Sequence, residues 1–153
     1  MSAASLDGTD HEIIELLRTN SRRTFGDIGK HVSLSPAAVK RRLDRLEADG
    51  FVLGYTIVTD DYKLGRPVEA FTELRIYGRT AVEDLIKLSA TVPEVDAVYV
   101  TAGDPDFIVR LRAANNERLL EIVNQFRRTD RVAGTKTHIV LGGWDRVRST
   151  WSQ

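Results

Sequence analysis

Apolar side chains recur every three or four residues in three short stretches before Gly50, a spacing that predicts three amphipathic helices. The helices are expected at Thr9–Arg18, Thr24–Val32 and Ser35–Gly50. Thr9 and Glu12 have the spacing of a capping box, and Ser35 followed by Pro36 is a typical helix start. Only residues 33–35 separate the second helix from the third. So short a connection is typical of a helix-turn-helix.

Runs of apolar and β-branched residues dominate the rest of the chain and predict strands. Residues 51–58 are expected to form a strand, or wing, after the helix-turn-helix, and residues 60–68 form a polar linker containing Gly and Pro. Further strands are expected at Ala70–Tyr77, Val95–Thr101, Phe107–Arg112 and Thr135–Leu141, with helices capped by Thr80 and Asn116 between them. The order strand, helix, strand, strand, helix, strand is the ferredoxin-like arrangement.

The predicted fold class is therefore α+β, with an N-terminal winged helix-turn-helix and a C-terminal ferredoxin-like βαββαβ domain. We expect the first domain at residues 1–59, the linker at 60–68 and the second domain at 69–153. In a ferredoxin-like fold the helices cover one face of the sheet. In the first strand Phe71 and Tyr77 lie on the opposite side from Leu74 and Ile76. In the third strand Ile108 lies opposite Phe107, Val109 and Leu111, so both faces of the sheet carry apolar groups. The uncovered face is expected to pack on another subunit.

Charge is distributed unevenly along a chain whose formal net charge is zero. From Arg18 to Arg45 there are eight basic residues against two acidic ones, so a polyanion would dock there. The chain has no cysteine, which excludes disulfides and thiolate metal sites. Its first nine residues do not resemble a signal peptide, and no apolar run approaches the length of a membrane span. A soluble, cytoplasmic protein with no membrane partner is expected.

The third helix carries a cationic face that predicts contact with DNA. Val39, Leu43 and Leu46 form its inward stripe, and the basic residues lie off that stripe. A merely solvated face is the alternative, but like charges one turn apart, such as Arg41 and Arg45, repel each other. Ser35, Ala37, Ala38 and Arg41 are predicted to contact bases, and Arg22, Lys40, Arg42 and Arg45 to contact phosphates.

The loop at residues 102–106 holds two carboxylates, Asp104 and Asp106. A metal site or an acid/base pair is conceivable, but Gly, Asp and Pro together favour a simple turn. The three histidines are far apart in sequence, and neither a Ser/His/Asp arrangement nor a phosphate-binding loop is present. We therefore predict no catalytic residue, metal site or cofactor.

Several motifs together resemble the Lrp/AsnC (leucine-responsive, or feast/famine) family of transcription regulators. They are Leu6-Asp7 with Asp10, Asn20-Ser21-Arg22, Leu34-Ser35-Pro36, residues 39–43 and 45–47, Gly50, Gly54-Tyr55, Leu64-Gly65, residues 103–107 and residues 135–137. The resemblance covers nearly the whole chain. It implies a sequence-specific DNA-binding regulator whose activity is modulated by a small molecule, expected to be an amino acid.

The resemblance also implies assembly and an effector site. Family members form dimers through the C-terminal sheets, often joined as tetramers or octamers, and bind amino acids between dimers near the glycine-aspartate loop. The implied effector-binding residues are Tyr99, Thr101, Gly103, Asp104, Pro105, Asp106 and Thr135. Pro105 stands where the family commonly has an aromatic residue. An enzyme similar to the sirohaem decarboxylases, which share this scaffold, is the alternative, and the cationic third helix and scarce histidines favour the regulator.

Overall fold

The chain folds into two compact units that meet in sequence between Val58 and Thr59. The computed structural model describes residues 5–78 and 80–143, so the outer ends of both predicted domains lie outside it. The segment predicted as a linker lies within the second unit. Arg112, which is buried in that unit, pairs with Asp61 at 3.0 Å and with Asp96 at 2.7 Å. The ion pair with Asp61 fixes the start of the segment against the sheet.

Three helices form the first unit, as predicted. They are α1 (Gly8–Thr19), α2 (Phe25–Val32) and α3 (Pro36–Ala48). One side chain or two from each helix meets in a small core of Ile13, Ile28, Val39 and Leu46, all fully buried. Because Val39 and Leu46 of α3 are buried in this core, the other faces of the helix point away from it.

The helix starts depend on side-chain oxygens that accept hydrogen bonds from free backbone N–H groups. Thr24 and Ser35 cap α2 and α3, which confirms both predicted starts. The predicted Thr9 cap is wrong, because the N-cap of α1 is Asp7, two residues earlier. The Asp10 N–H donates to Asp7 at 2.8 Å, and the Asp7 N–H donates to the Asp10 carboxylate at 3.2 Å. Two carboxylates therefore form the capping box.

The connection between α2 and α3 turns sharply. Ser33 adopts a left-handed conformation with φ 55°, and the Leu34 N–H donates to the Gly29 carbonyl at 2.9 Å. Gly29 is buried at this point, where the returning chain crosses α2. This turn sets the direction in which α3 leaves.

Residues 51–58 do not form the predicted strand. Within the described chain, no strand of the sheet pairs with this segment. Leu53 is 93% exposed, and Ile57 is also exposed. The strand prediction for residues 51–58 is wrong. Their β-branched and aromatic side chains favour a strand locally, but a strand also needs a partner for its N–H and C=O groups.

The second unit has the predicted ferredoxin-like topology. Its elements are β1 (Val68–Ile76), α4 (Val82–Ala90), β2 (Val95–Val100), β3 (Phe107–Ala113), α5 (Asn116–Arg127) and β4 (Val132–Ile139). The strands are antiparallel in the order β2-β3-β1-β4. Ala70, Thr72 and Leu74 of β1 are buried on the face that the core of the unit occupies.

The opposite face, called here the open face, is mixed in character. Phe71, Glu73 and Arg75 alternate with the buried residues of β1, so they point to this face. Ile108 is paired with Glu73 and with Tyr99, which places all three in one row across the sheet. His138 Nε2 and Glu73 Oε1 lie 3.0 Å apart, within hydrogen-bond distance. The open face therefore combines apolar groups with hydrogen-bonded polar groups.

Several element boundaries in this unit differ from the prediction. Thr80 does not cap α4, since the N-cap is Ala81 and the Thr80 hydroxyl donates to the Arg131 carbonyl at 3.3 Å. Asn115, one residue before the predicted Asn116, caps α5. Strand β4 runs three residues further toward the N-terminus than predicted, because its first residues pair with the end of β1. Such pairing depends on residues distant in sequence.

Candidate nucleic-acid interface and ligand loop

Helix α3 presents an open groove of about 400 Å³ that three arginines line. The lining residues are Leu34, Ala38, Arg41, Arg42 and Arg45. Ser35 and Ala37 are exposed at the start of the helix, as are Lys40 further along it and Arg22 in the preceding turn. The residues predicted to contact bases therefore lie at the N-cap and in the first two turns of α3. The structure brings the predicted phosphate contacts of α3 next to them.

Two of these arginines have partners inside the protein. Arg42 Nη1 lies 2.6 Å from Asp7 Oδ2 and 2.8 Å from Asp10 Oδ1, and Arg45 Nη2 contacts Asp10 Oδ2. The Asp10 side chain is only 1% exposed. The hydrogen bond from Arg42 holds the pKa of Asp7 below its usual range and raises the pKa of Arg42. Arg42 therefore lies off the buried stripe of α3, as predicted, and it also has two carboxylate partners on or next to α1.

The other two cations of α3 differ from this pair. Lys40 Nζ lies 2.6 Å from Asp44 Oδ2, and both side chains are more than half exposed. Such a surface pair adds little to stability and is easily exchanged. Arg41 is exposed and has no ion pair within the described part of the chain. Arg41 is therefore the α3 arginine most available to an external anion.

The loop between β2 and β3 is held by its own polar groups. The Thr101 hydroxyl donates to the Pro105 carbonyl. The Ile76 N–H of β1 donates to Asp106 Oδ2 at 2.9 Å, so this carboxylate serves the backbone. Gly103 has φ 139°, a conformation that favours glycine. The Asp104 carboxylate accepts instead from an arginine side chain, that of Arg75.

Asp104 and Arg75 form a bidentate ion pair across the sheet end. Arg75 Nε donates to Asp104 Oδ1 at 2.6 Å, and Arg75 Nη2 donates to Oδ2 at 3.1 Å. This hydrogen bonding lowers the pKa of Asp104 and raises the pKa of Arg75. Both side chains are about half exposed or more. The Asp104 carboxylate is thus ionised and accessible to solvent.

The remaining predicted effector residues lie at different places. Tyr99 is half exposed on the open face, in the strand that enters the loop. Thr135 pairs with Leu74, and its hydroxyl accepts from Arg127 Nε at 2.7 Å. Leu74 and Arg75 are successive residues of β1, so their side chains point to opposite faces. The structure therefore gathers residues 101–106 but places Thr135 on the other face from Arg75.

Two residues of these sites were missed by sequence reasoning. Asp10 was noted as part of a motif, but its spacing from Asp7 was the available signal for a capping box with an acid at both ends. Arg75 carries no comparable signal, because 29 residues separate it from Asp104. Among residues 5–78 and 80–143 there is no cluster of metal-binding side chains and no helix long and apolar enough to cross a membrane.

Two family models match this chain, one for each unit. Residues 6–47 match the AsnC-type helix-turn-helix domain, and residues 69–149 match the Lrp/AsnC ligand binding domain. The two domains define an effector-modulated, DNA-binding transcription regulator. The chain belongs to the Lrp/AsnC family, as its motifs predicted.

Relatives and solved structures agree with this assignment. The chain is 35% identical over 136 residues to the HTH-type transcriptional regulator Rv2324 of Mycobacterium tuberculosis, covering 89% of this chain and 92% of the relative. A structure of transcriptional regulator NMB0573 of Neisseria meningitidis in complex with L-Met superposes with a TM-score of 0.88 at 25% identity, covering 93% and 94% of the chains. The structure of LrpC of Bacillus subtilis gives 0.85 at 28% identity, covering 94% and 99%. Because these relatives are transcription regulators, they favour a regulator over the alternative of an enzyme similar to the sirohaem decarboxylases.

Proposed function

We propose that the chain binds double-stranded DNA sequence-specifically by placing α3 in the major groove. The observation that carries this proposal is the arginine-lined groove of α3, which is the second helix of the helix-turn-helix formed by α2 and α3. In such motifs the N-terminal residues of the second helix meet base edges. Ser35, Ala37, Ala38 and Arg41 would contact bases, and the phosphates would be contacted by Arg22, Lys40, Arg42 and Arg45. Because chromosomal DNA is the partner, we place the protein in the cytoplasm.

We further propose an amino acid as the effector, bound at the loop of residues 101–106. A regulator of similar fold binds L-Met, according to the description of its structure. In this chain, Asp104 offers an ionised carboxylate to an ammonium group, and Arg75 offers a guanidinium to a carboxylate. An amino acid carries both of the complementary charges. It would replace one internal ion pair by two, with Tyr99 lining the open face beside them.

The effector proposal predicts that Asp104→Ala weakens amino-acid binding by about ten- to a hundred-fold, since a charge-assisted hydrogen bond contributes about 1.5–3 kcal/mol. Gly103→Ala should weaken it as well, because alanine is strained at φ 139°. A thermal-shift screen over the twenty amino acids identifies the ligand, and calorimetry compares the variants. Asp84→Ala, which removes an exposed carboxylate paired with Arg131, is the matched control. Equal binding by Asp104→Ala and the control would exclude the loop.

The same ligand tests the coupling between effector and DNA. Titration of promoter DNA in a gel-shift assay, with and without the amino acid, should give two different affinities. Because linkage is reciprocal, the DNA-bound protein should bind the amino acid with an affinity changed by the same factor. Equal DNA affinities at saturating ligand would show that the ligand does not regulate DNA binding.

We also propose a homodimer closed through the open face, which assembles further into tetramers or octamers. Phe71, Tyr99 and Ile108 supply apolar surface there, which supports a partner of the same kind. Ile108→Glu is expected to reduce the mass measured by light scattering of the full chain toward that of the monomer. Leu120→Glu alters an exposed leucine on α5 and should leave the mass unchanged. A monomeric wild-type chain at micromolar concentration would contradict the proposal.

A further inference from the structure

Asp10 accepts more hydrogen bonds than the cap of α1 requires. Its carboxylate accepts from the Asp7 N–H at 3.2 Å, from Arg42 Nη1 at 2.8 Å and from Arg45 Nη2. Capping needs only the first of these contacts. The side chain is almost completely buried, and burying a carboxylate is costly unless cations and N–H groups compensate it. The contacts to α3 therefore need a reason beyond the start of α1.

Arg45 and Arg42 differ in exposure and in how their guanidinium groups contact Asp10. Arg42 is 29% exposed and divides one nitrogen, Nη1, between Asp7 and Asp10. Arg45 is 49% exposed and contacts Asp10 through Nη2, so most of its five N–H donors stay available. Arg45 also lines the groove of α3 beside Arg41. Its guanidinium is anchored at one edge and open toward the groove at the other.

We infer that Asp10 is a positioning residue for DNA binding, which holds the Arg45 guanidinium where a phosphate oxygen meets it. This inference rests on the proposed role of α3. An arginine side chain has many rotamers, and restricting them at binding costs free energy. Because the buried Asp10 carboxylate on α1 already restricts the rotamers of Arg45 in the free protein, less side-chain entropy is lost when DNA binds. Asp10 touches no DNA itself.

For Asp10→Asn, the inference predicts a change in DNA affinity opposite to the change expected from net charge alone. Asp10→Asn removes one negative charge from the DNA-binding unit, and charge alone would then make DNA binding tighter. Positioning predicts weaker binding by about two- to ten-fold, the factor expected for one long side chain that must be ordered at binding. Asparagine keeps a side-chain oxygen to accept the Asp7 N–H, so the start of α1 is preserved.

Asp44→Asn is the matched control for charge. Asp44 is an exposed carboxylate of α3 that pairs with Lys40, and its neutralisation changes the charge by the same amount. This variant is expected to bind DNA at least as tightly as wild type. Circular dichroism and thermal melting establish that each variant is folded at the temperature of the gel-shift titration. If Asp10→Asn does not fold, Arg45→Lys replaces it, because lysine keeps the charge but cannot contact Asp10 and a phosphate along two edges.

A double-mutant cycle with Arg45→Ala decides the mechanism. The expected result is that Asp10→Asn weakens DNA binding in the wild-type background and has no effect on DNA affinity when Arg45 is alanine. Equal weakening in both backgrounds, tighter binding by Asp10→Asn, or wild-type affinity of Arg45→Lys would overturn the inference. Unchanged affinity of both Arg41→Ala and Arg45→Ala would instead remove α3 as the DNA-binding helix, and the inference with it.

Discussion

Replacing Gly29 by alanine is expected to destabilise the helix-turn-helix by roughly 2–4 kcal/mol and to abolish DNA binding, because the added methyl group has no space. A Cβ at Gly29 would lie 2.4 Å from the Leu34 carbonyl oxygen and 3.4 Å from its carbonyl carbon. These are backbone atoms, so no side-chain rotation relieves the contact. The Leu34 N–H donates to the Gly29 carbonyl at 2.9 Å, which holds the two segments together.

The consequence reaches the DNA-binding helix through the turn. Moving Leu34 displaces Ser35, which caps α3, and Leu34 itself lines the groove. Urea unfolding measures the loss of stability, and a gel-shift titration measures the loss of binding. Gly26→Ala in the same helix is the control, because the nearest atom to its Cβ is Thr24 Oγ1 at 3.9 Å. It should be neutral or stabilising by about 0.5–1 kcal/mol. Matching unfolding curves for the two variants would contradict the prediction.

Local signals in the sequence were sufficient to predict the type and order of the helices and strands that form, although they also predicted a strand at residues 51–58 that does not form. Ser35 with Pro36, Thr24 and the three-residue turn each act within a few residues, so their physical meaning is contained in the sequence itself. The alternation of buried and outward residues in β1 is likewise local. These signals predicted the helix-turn-helix and the ferredoxin-like order, and the structure and the family models confirm both.

Contacts between distant residues could not be predicted in the same way. Arg42 meets Asp10 across 32 residues, and Arg75 meets Asp104 across 29. The failed strand at residues 51–58 has the same origin, since a strand depends on a partner segment. For Thr135, the side of the sheet follows from register with Leu74, which no local pattern specifies. The sequence thus predicted which residues are polar and exposed more reliably than which of them meet.

Arg41→Ala and Arg42→Ala are expected to separate DNA affinity from stability, although the two residues are adjacent and carry the same charge. Arg41 is exposed without an ion pair in the described chain, so its loss should leave the unfolding curve unchanged. DNA affinity should fall about ten- to a hundred-fold if Arg41 contacts a guanine, since such a pair discriminates by about 1–3 kcal/mol. The loss should be largest on the cognate sequence and small on random DNA.

Arg42→Ala should instead lower the free energy of unfolding by about 2–3 kcal/mol, because the buried Asp10 loses one of its two cations and Asp7 loses its hydrogen-bonded partner. Its effect on DNA should resemble the loss of one positive charge, with similar weakening on cognate and random DNA. Thermal or urea unfolding and gel-shift titrations on both DNAs measure the four values. If Arg42→Ala unfolds like wild type while Arg41→Ala is destabilised, the two roles are reversed. If neither variant changes affinity for the cognate sequence, the groove of α3 does not bind DNA.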